Sequence, residues 1–321
     1  MFLCVSPNPA IDKRLTLPSL VPGEIHRART VQSFPGGKST HVAMVLRTLG
    51  ETPHWIGLCG GAAGEQLVSG LRALGIEPHP CATRKETRTN LEIIDGTGGV
   101  TEIREPGGTP SGEELAAFER TCKDLFEQGG ESASIIFSGS LPDGVAPDLY
   151  ARLIAFAHAA GCRTFLDTSG EPLRLALAAQ PSFVKPNREE AAALLGTPIN
   201  SPDSAGQAIA QLLSLGAHSA ALSIGPDGLL FCEAKNAPVL FGPALPLQPR
   251  STVGCGDAAL AGFAYTIASN SSAEDTIRLA AACAAANCLA ESPGAASSDD
   301  IQEFRKQIQV ESQGITRIGK Y

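Results

Sequence analysis

The residues best suited to chemistry lie in the stretch Ser251-Thr252-Val253-Gly254-Cys255-Gly256-Asp257, which precedes the apolar run 258–268. Glycines let a backbone turn sharply and approach a ligand closely. The run predicts a buried helix, whose first amides and positive dipole end favour a phosphate. A carboxylate beside such an anion hole is explained if Asp257 takes a proton from a hydroxyl that attacks a phosphoryl group.

Two other interpretations of this stretch stay open. In the simpler one, Asp257 only favours the dipole of a capped helix, a contribution of about 0.3–1 kcal/mol. In the other, Gly254-x-Gly256-x-x-Ala259 is a dinucleotide fingerprint with Glu274 as the ribose-binding acid. That fingerprint must follow a buried strand, and the preceding segment contains prolines that argue against a central strand, namely Pro243, Pro246 and Pro249.

A second glycine turn, Gly36-Gly37-Lys38-Ser39, precedes a helical pattern. It is not a P-loop, because the first glycine of that motif would fall at Gln32. A glycine turn, a lysine and a helix start together favour a phosphate or sugar hydroxyls, although an ordinary turn would look the same.

Polar residues also follow several predicted strands. Ser138-Gly139-Ser140 follows one strand, and Ser223-x-Gly225 ends another. Lys185-Pro186-Asn187-Arg188-Glu189-Glu190 follows a third, and open α/β sheets bind ligands at such carboxyl ends. Asn187 and Glu190 can share a helix face and hold hydrated magnesium, or Asn187 can be a plain N-cap.

Short strands alternate with helical patterns along most of the chain. The predicted strands are 2–6, 54–59, 133–138, 163–167, 182–184 and 219–223. The predicted helices are 39–49, 63–74, 112–126, 147–160, 171–179, 188–195, 203–215, 255–269, 273–290 and 299–309. This α/β alternation predicts a mostly parallel sheet with helices on both faces.

Three segments break this alternation, at about 12–17, 24–34 and 87–105. They read as strands without intervening helices, and Asp95-Gly96-Thr97-Gly98-Gly99 provides turn chemistry inside the last. We expect them to form a small β-flap, here called the lid, over one end of the sheet, or else surface hairpins without a role. The lid segments contribute the cations Arg27, Arg88 and Arg104.

Composition excludes several classes of protein. The net charge of −8 over 321 residues argues against nucleic acid as a partner. The most apolar runs, 258–268 and 279–290, are too short to cross a bilayer, which argues against a membrane. The nine cysteines include no C-x-x-C pair, and the first residues lack a basic region before their apolar run. We therefore expect reduced thiols and a cytoplasmic location.

These motifs together resemble the ribokinase-like (PfkB) carbohydrate kinases, in particular the 1-phosphofructokinase and tagatose-6-phosphate kinase branch. The resemblance runs in order from about residue 3 to residue 300. Besides the two glycine motifs, it is carried by Asn8-Pro9-Ala10-Ile11-Asp12, Thr101-Glu102-Ile103, Glu105-Pro106-Gly107, Ser138-Gly139-Ser140-Leu141-Pro142, Leu166-Asp167-Thr168-Ser169-Gly170 and Lys185-Pro186-Asn187.

The resemblance implies a single kinase domain over 1–321 that uses ATP and magnesium to phosphorylate a sugar phosphate, with a monovalent cation as a further candidate cofactor. Asp257 would be the catalytic base, and the Gly254, Cys255 and Gly256 amides would form the anion hole. The sugar would meet Asp12, Gly37 and His41, and its existing phosphate Arg27, Lys38, Arg88 and Ser138. The nucleotide would meet Lys185, Asn187, Ser223, Gly225, Thr252 and Asn287, with Asn187 and Glu190 near magnesium. Members of the family often pair through such lids, so we expect a homodimer.

Departures from the family pattern bear on the substrate. Ser39 replaces a glycine and would add a side chain beside the sugar, while His41 replaces an asparagine that normally contacts sugar hydroxyls. Arg104 stands where the branch usually has asparagine. Cys255 replaces an alanine, and we expect either a reactive thiolate at the helix start or a small side chain turned into the core.

Two competing functions remain at this stage. The chain could be a sugar-phosphate-binding or regulatory protein on the same fold, altered at Ser39 and His41. More remotely, it could be a nicotinamide-dependent dehydrogenase through the fingerprint described above. The sequence does not separate fructose 1-phosphate, fructose 6-phosphate and tagatose 6-phosphate as substrates.

Overall fold

The computed structural model describes residues 1–312, which contain fourteen strands. In chain order these are β1 (Phe2–Ser6), β2 (Ala10–Thr16), β3 (Thr30–Gly36), β4 (His54–Cys59), β5 (Glu77–Ala82), β6 (Arg88–Ile94), β7 (Val100–Arg104), β8 (Ser134–Ser138), β9 (Arg163–Asp167), β10 (Phe183–Val184), β11 (Ser219–Ser223), β12 (Gly228–Cys232), β13 (Leu240–Pro243) and β14 (Glu311–Ser312).

Ten α-helices alternate with these strands in the described part of the chain. They are α1 (Lys38–Thr48), α2 (Gly61–Ala73), α3 (Gly112–Gly129), α4 (Leu149–Ala159), α5 (Gly170–Ala178), α6 (Arg188–Leu195), α7 (Pro202–Ser214), α8 (Cys255–Ala268), α9 (Ala273–Leu289) and α10 (Ser298–Gln307). None of them, within residues 1–312, has the length and hydropathy needed to cross a membrane.

The main sheet has ten strands in the order β14-β13-β12-β11-β10-β9-β8-β1-β4-β5. The seven neighbouring strands β11-β10-β9-β8-β1-β4-β5 pair in parallel. At the other edge, β12, β13 and β14 each pair antiparallel with the strand before them in the chain. Successive residues of the strands point to opposite faces of the sheet and pack into two separate hydrophobic cores. One core includes α1, α2 and α8–α10, and the other includes α3–α7. The predicted α/β fold, a mostly parallel sheet with helices on both faces, is confirmed.

The lid is a separate four-stranded sheet in the order β3-β2-β6-β7. Its central strands β2 and β6 are parallel, and the outer strands pair with them antiparallel. The predicted strand over 24–34 is wrong in its first half, because the chain has no regular structure between Thr16 and Thr30. Pro18, Pro22 and Gly23 in this segment explain the interruption.

The sequence patterns also missed four strands of the main sheet: β5, β12, β13 and β14. Strand β5 contains Pro78 and Pro80, which we would exclude from a central strand. It forms the edge of the sheet, where a missing backbone N–H on the outer side costs little. The other three extend the opposite edge as antiparallel pairs, which the βα alternation does not predict.

Two helices that carry site residues are fixed by core packing. Phe263 of α8 lies against Phe183 and Phe231, with ring centroids 4.9 and 5.3 Å apart. In α1, the Thr40 hydroxyl accepts a hydrogen bond from the buried Trp55 indole at 3.1 Å. Because both helices are held by buried contacts, their first turns have defined positions at the carboxyl edge of the sheet.

Candidate active site

A cavity of about 410 Å³ lies at the carboxyl ends of the parallel strands, beneath the lid. This volume falls within the roughly 300–1,000 Å³ typical of small-ligand pockets. Strands β1, β8, β9 and β11 end in polar residues that line it, namely Ser6, Ser138, Asp167 and Ser223. The two glycine turns meet across this cavity.

The N-terminus of α8 forms one wall of the cavity. Gly254 is its N-cap and has a φ of 80°, a left-handed conformation that favours glycine. A Cβ at this position would lie 2.9 Å from the Cβ of Pro293. Asp257 follows in the first helical turn and is buried, yet lines the cavity together with Gly256. A carboxylate and helix-start backbone therefore face the same space.

His41 joins two carboxylates at the floor of the cavity. Its Nδ1 lies 2.8 Å from Oδ2 of Asp257, and its Nε2 lies 2.8 Å from Oδ2 of Asp12. Burial opposes a charge on the ring, but the hydrogen bonds to the two carboxylates outweigh it and raise the pKa of His41 to about 10. The pKa of Asp12 is lowered, because the same contact outweighs its burial.

A buried carboxylate, Asp167, joins the two lysines of the site. Its Oδ2 lies 2.8 Å from Nζ of Lys185, and its Oδ1 accepts a hydrogen bond from Nζ of Lys38 at 3.2 Å. Burial disfavours the charge of Lys38, but Asp167, Asp257 and Glu190 outweigh it and raise its pKa above the ordinary value. One buried carboxylate thus contacts both lysine side chains that line the cavity.

The lid closes the cavity from above with Asp12, Arg88 and Asn90. Arg88 donates to the carbonyl oxygens of Glu105 and Asn8, each at 2.9 Å. Within residues 1–312, its Nε has no hydrogen-bond partner, and neither has the buried hydroxyl of Ser138. Because buried polar atoms are normally paired, these two atoms are available to a polar ligand in the cavity.

Asn187 and Glu190 form the capping box of α6. Oδ1 of Asn187 accepts from the Glu190 amide at 2.8 Å, and Oε2 of Glu190 accepts from the Asn187 amide at 2.9 Å. The N-cap interpretation of Asn187 is therefore confirmed, but both residues also line the cavity. Oε1 of Glu190 stays outside the cap, 3.7 Å from Nζ of Lys38. A single carboxylate oxygen outside the cap fits a magnesium ion held mainly by water and phosphate oxygens.

Several predicted residues lie outside the cavity lining. Arg27 is exposed on the irregular segment between β2 and β3, so the structure does not bring it to the site. Gly225 turns the chain behind Ser223 with a φ of 64° and does not line the cavity. Ser39 is buried beneath the cavity instead of beside the sugar, where its hydroxyl donates to the carbonyl oxygens of Val5 and Ser138.

Asn287 supports the glycine turn from behind and does not line the cavity. Its amide nitrogen donates to the Val253 carbonyl oxygen at 2.8 Å, and its Oδ1 accepts from the Gly294 amide at 2.8 Å. The same nitrogen lies 3.4 Å from Sγ of Cys255. In this structure the side chain therefore braces the glycine turn, and its expected place beside adenine stays a prediction.

The Cys255 side chain also turns away from the cavity. Its Sγ lies 3.0 Å from Sγ of Cys288, and its backbone amide donates to the Thr252 carbonyl oxygen at 3.3 Å. The Cys288 contact and burial raise the pKa of the Cys255 thiol. Of the two alternatives for Cys255, the structure favours the side chain that turns away from the cavity over the reactive thiolate.

The sequence reading missed several residues that line the cavity. Asp167 was noted only as part of a family motif, although a carboxylate at the end of a buried strand was a usable signal. Asn8 and Asn90 lie where the lid meets the main sheet. The pairing register between β2 and β6 places Asn90 beside Asp12, and no local sequence pattern indicates that register. Arg104 lines the cavity and pairs with Glu102 two residues away.

A second cluster of titratable groups lies at the opposite end of the main sheet. His54 and Glu77 begin the adjacent strands β4 and β5, and His79 follows on β5. The rings of His54 and His79 are nearly parallel, and Nδ1 of the first lies 3.0 Å from Nε2 of the second. With centroids 5.3 Å apart, the rings meet end to end through one hydrogen bond, so their lone pairs do not converge on a metal ion.

Comparison with known proteins agrees with this geometry. Residues 8–300 match the family described as pfkB family carbohydrate kinase. The 1-phosphofructokinase of Xanthomonas campestris is 35% identical over 286 residues, covering 87% of this chain and 88% of the relative. The ATP-dependent 6-phosphofructokinase isozyme 2 of Escherichia coli is 31% identical over 299 residues, covering 92% and 95%.

A solved structure is similar along almost the whole chain. The crystal structure of the phosphofructokinase-2 from Escherichia coli in complex with potassium superposes with a TM-score of 0.89 at 28% identity. The match covers 96% of this chain and 98% of that one. The similarity therefore includes both the main sheet and the lid.

Proposed function

Because the chain belongs to the pfkB family of carbohydrate kinases, we propose that it uses ATP to phosphorylate a sugar phosphate in the cavity beneath the lid. The observation that carries this proposal is the position of Asp257. Its carboxylate lies at the N-terminus of α8 and lines the same cavity as Lys38 and Arg88. A base, an anion-binding backbone and cations are the components that phosphoryl transfer requires.

In this proposal, Asp257 takes the proton from the attacking hydroxyl of the sugar. That oxygen forms its bond to the transferred phosphorus as the bond to the leaving oxygen of ATP breaks. Gly254, Cys255 and Gly256 contribute backbone to the wall where negative charge collects during transfer. First-turn amides of a helix lack intrahelical partners, so they are suited to this role. The Cys255 amide would exchange its 3.3 Å bond to the Thr252 carbonyl oxygen for the transferred group.

The sugar phosphate would lie between the lid and the first glycine turn. Asp12 and the backbone of Gly37 face the sugar hydroxyls, while Arg88, Lys38 and Ser138 surround the existing phosphate. This assignment is supported by the unpaired Nε of Arg88 and the unpaired hydroxyl of Ser138 among the described residues. A guanidinium and an ammonium are the usual partners of a bound phosphate.

The nucleotide would occupy the other half of the cavity. Lys185, Asn187, Ser223 and Thr252 line that side, which supports their predicted roles. Magnesium bound to the ATP phosphates would neutralise part of their charge, with Asn187 and Glu190 contacting its water shell. We also propose a monovalent cation, since the Escherichia coli relative was solved with potassium. Kinase activity measured in potassium chloride and in tetramethylammonium chloride at equal ionic strength checks that requirement.

The substrate class is tested by an ATP-consumption assay with magnesium. Purified protein is offered fructose 1-phosphate, fructose 6-phosphate, tagatose 6-phosphate and, as controls, fructose and ribose. We expect turnover of at least one phosphorylated hexose at a kcat/KM well above that of the free sugars. Preference for an unphosphorylated sugar would overturn the proposed phosphate site, and binding without turnover would favour the regulatory alternative.

The dehydrogenase alternative is not favoured. Residues 245–250, before the glycine turn, form no strand, so the context required by a dinucleotide fingerprint is missing. A thermal-shift experiment separates the two cofactors directly. We expect ATP with magnesium to raise the melting temperature and NAD to leave it unchanged.

We further propose that two copies pair through their lids, and that the whole chain acts as one kinase domain. The lid exposes apolar side chains on β3 and β7, including Val31 at 54% and Ile103 at 51% exposure. A second copy would cover these side chains and the outer strand edges, which otherwise invite uncontrolled pairing. Light scattering should give twice the monomer mass, and Val31→Lys with Ile103→Lys should give monomers.

We place the enzyme in the cytoplasm. All nine cysteines are free, although Cys255 and Cys288 lie close enough to be oxidised together. Reduced thiols are typical of that compartment. Fractionation of cells that make the protein checks this location.

A further inference from the structure

The ring of His41 makes two contacts that constrain its protonation. A neutral imidazole has one donor and one acceptor nitrogen, whereas ionised carboxylates only accept. Both nitrogens of His41 lie 2.8 Å from carboxylate oxygens, one of Asp257 and one of Asp12. Both contacts can be hydrogen bonds only if the imidazole and its two carboxylates together carry one proton more than a neutral ring with two ionised carboxylates. Imidazole holds a proton more tightly than a carboxylate does, so that proton belongs on the ring.

The charged surroundings of His41 agree with this assignment. Asp12 faces it from β2 and Asp257 faces it from α8, while Lys38 lies one turn earlier on its own helix. Arg88 from β6 acts on Asp12, and Asn90 donates to the other oxygen of Asp12 at 2.9 Å. The two adjacent carboxylates dominate, because they contact the ring directly, and the pKa of His41 is about 10.

We propose that His41 is a cationic bridge that orients the base Asp257 and the sugar-facing Asp12, and does not itself contact the sugar hydroxyls. This inference rests on the proposed kinase function of the cavity. It differs from the role that the resemblance implies, in which the residue at this position binds the sugar directly. With both nitrogens occupied, the ring has no further donor for a sugar hydroxyl.

The bridge determines which oxygen of the base is available. His41 holds Oδ2 of Asp257, and Oδ1 makes no hydrogen bond within residues 1–312. Oδ1 is therefore the oxygen that receives the proton of the attacking hydroxyl. After that transfer Asp257 is neutral, and the His41 cation remains paired with Asp12.

The bridge also reduces repulsion of the incoming phosphates. Asp12 and Asp257 alone would place two negative charges at the floor of a cavity built for anions. With the imidazolium between them, the three groups carry a net charge of −1. A carboxylate base can then stand beside the anion hole.

The substitution His41→Asn separates this role from the others. We expect kcat to fall roughly ten- to a hundredfold, the scale of a misplaced catalytic group. We also expect KM for the sugar phosphate to change little, because the ring does not contact the sugar. The matched control is His54→Asn at the opposite end of the sheet, which should leave both quantities unchanged.

Two kinetic outcomes would overturn the bridge. If His41→Asn raises KM for the sugar phosphate while kcat stays in place, the ring contacts the sugar. If neither kcat nor KM changes, the residue has no positioning role. The melting temperature of the variant, measured with that of the control, shows whether it is folded under assay conditions.

A measurement without turnover tests the bridge independently of the kinase function. Nitrogen NMR of the protein labelled in its histidines distinguishes an imidazolium from a neutral ring, and the His41→Asn spectrum assigns the signal. We expect the imidazolium pattern for His41 at pH 7.5, where exposed histidines are neutral. A neutral pattern would overturn the bridge even in an active enzyme, whereas an imidazolium in an inactive protein would refute only the kinase proposal.

Discussion

Nζ of Lys185 lies 2.8 Å from Oδ2 of Asp167, and each side chain is no more than 3% exposed. This buried ion pair joins the ends of two adjacent parallel strands. Asp167 also reaches Lys38 on the first glycine turn, so one carboxylate holds both cations of the cavity. The pair therefore links the stability of the sheet to the geometry of the candidate active site.

We predict that Asp167→Asn destabilises the protein strongly. The change leaves the buried ammonium of Lys185 without its counter-charge, and breaking a buried pair typically costs about 3–5 kcal/mol. Chemical denaturation at neutral pH measures the loss in the free energy of unfolding. The exposed Asp143 provides a control, since Asp143→Asn should change stability by less than about 0.5 kcal/mol. Equal stabilities of the two variants would show that the pair contributes little.

Substitution of Arg88 should affect the sugar phosphate more than ATP. Its guanidinium lines the cavity from the lid and has an unpaired Nε among the described residues. A charge-assisted hydrogen bond contributes about 1.5–3 kcal/mol, so Arg88→Ala should raise KM for the sugar phosphate roughly ten- to a hundredfold. Steady-state kinetics with each substrate varied in turn measure this, with exposed Arg84→Ala as control. A larger change in KM for ATP would assign Arg88 to the nucleotide.

The thiol pair beside the glycine turn predicts a specific pattern of alkylation. The hydrogen bond between the two thiols, in which either sulfur can donate, lowers the pKa of the Cys288 thiol, while this contact and burial raise the pKa of Cys255. The thiolate is the reactive form, so iodoacetamide should label Cys288 before Cys255. Peptide mass spectrometry at partial labelling measures the order. In Cys255→Ala, where the hydrogen bond is missing, Cys288 should react more slowly, and an unchanged rate would contradict the coupling.

The pH dependence of stability should include a contribution from His41. Its pKa is raised from 6.5 to about 10, so the folded protein binds its proton more tightly than the unfolded chain does. This stabilisation is complete below about pH 6.5 and is lost as the pH rises toward 10. Over that interval, the free energy of unfolding should fall more steeply in the wild type than in His41→Asn. Parallel curves would show that the ring is neutral in the folded protein.

Much of the main sheet could be predicted from the sequence, because short apolar strands alternate with amphipathic or buried helices. The polar residues at strand ends identified most of one cavity wall, from Ser138 to Ser223. Edge strands were missed where local signals oppose strand formation, as with Pro78 and Pro80 in β5. The polar alternation around Arg27 predicts a strand, but residues 17–29 form no strand in the structure.

Relationships between distant residues could not be predicted. His41 and Asp257 are separated by 216 positions, and nothing in either local sequence indicates that they share a hydrogen bond. The contact between Cys255 and Cys288 likewise depends on how α8 packs against α9. Side-chain direction decided both cases, since a residue beside a functional turn can face the cavity or the core.

The proposed role of Asp257 is tested most directly by the rate of phosphoryl transfer in Asp257→Asn. The measurement is single-turnover transfer from ATP with saturating magnesium and sugar phosphate, alongside equilibrium binding of ATP. We predict that the rate falls roughly 10²–10⁴-fold, the range for loss of a general base, while ATP affinity changes little. A variant that is folded and transfers phosphate at a near-normal rate would contradict the assignment of Asp257 as the base.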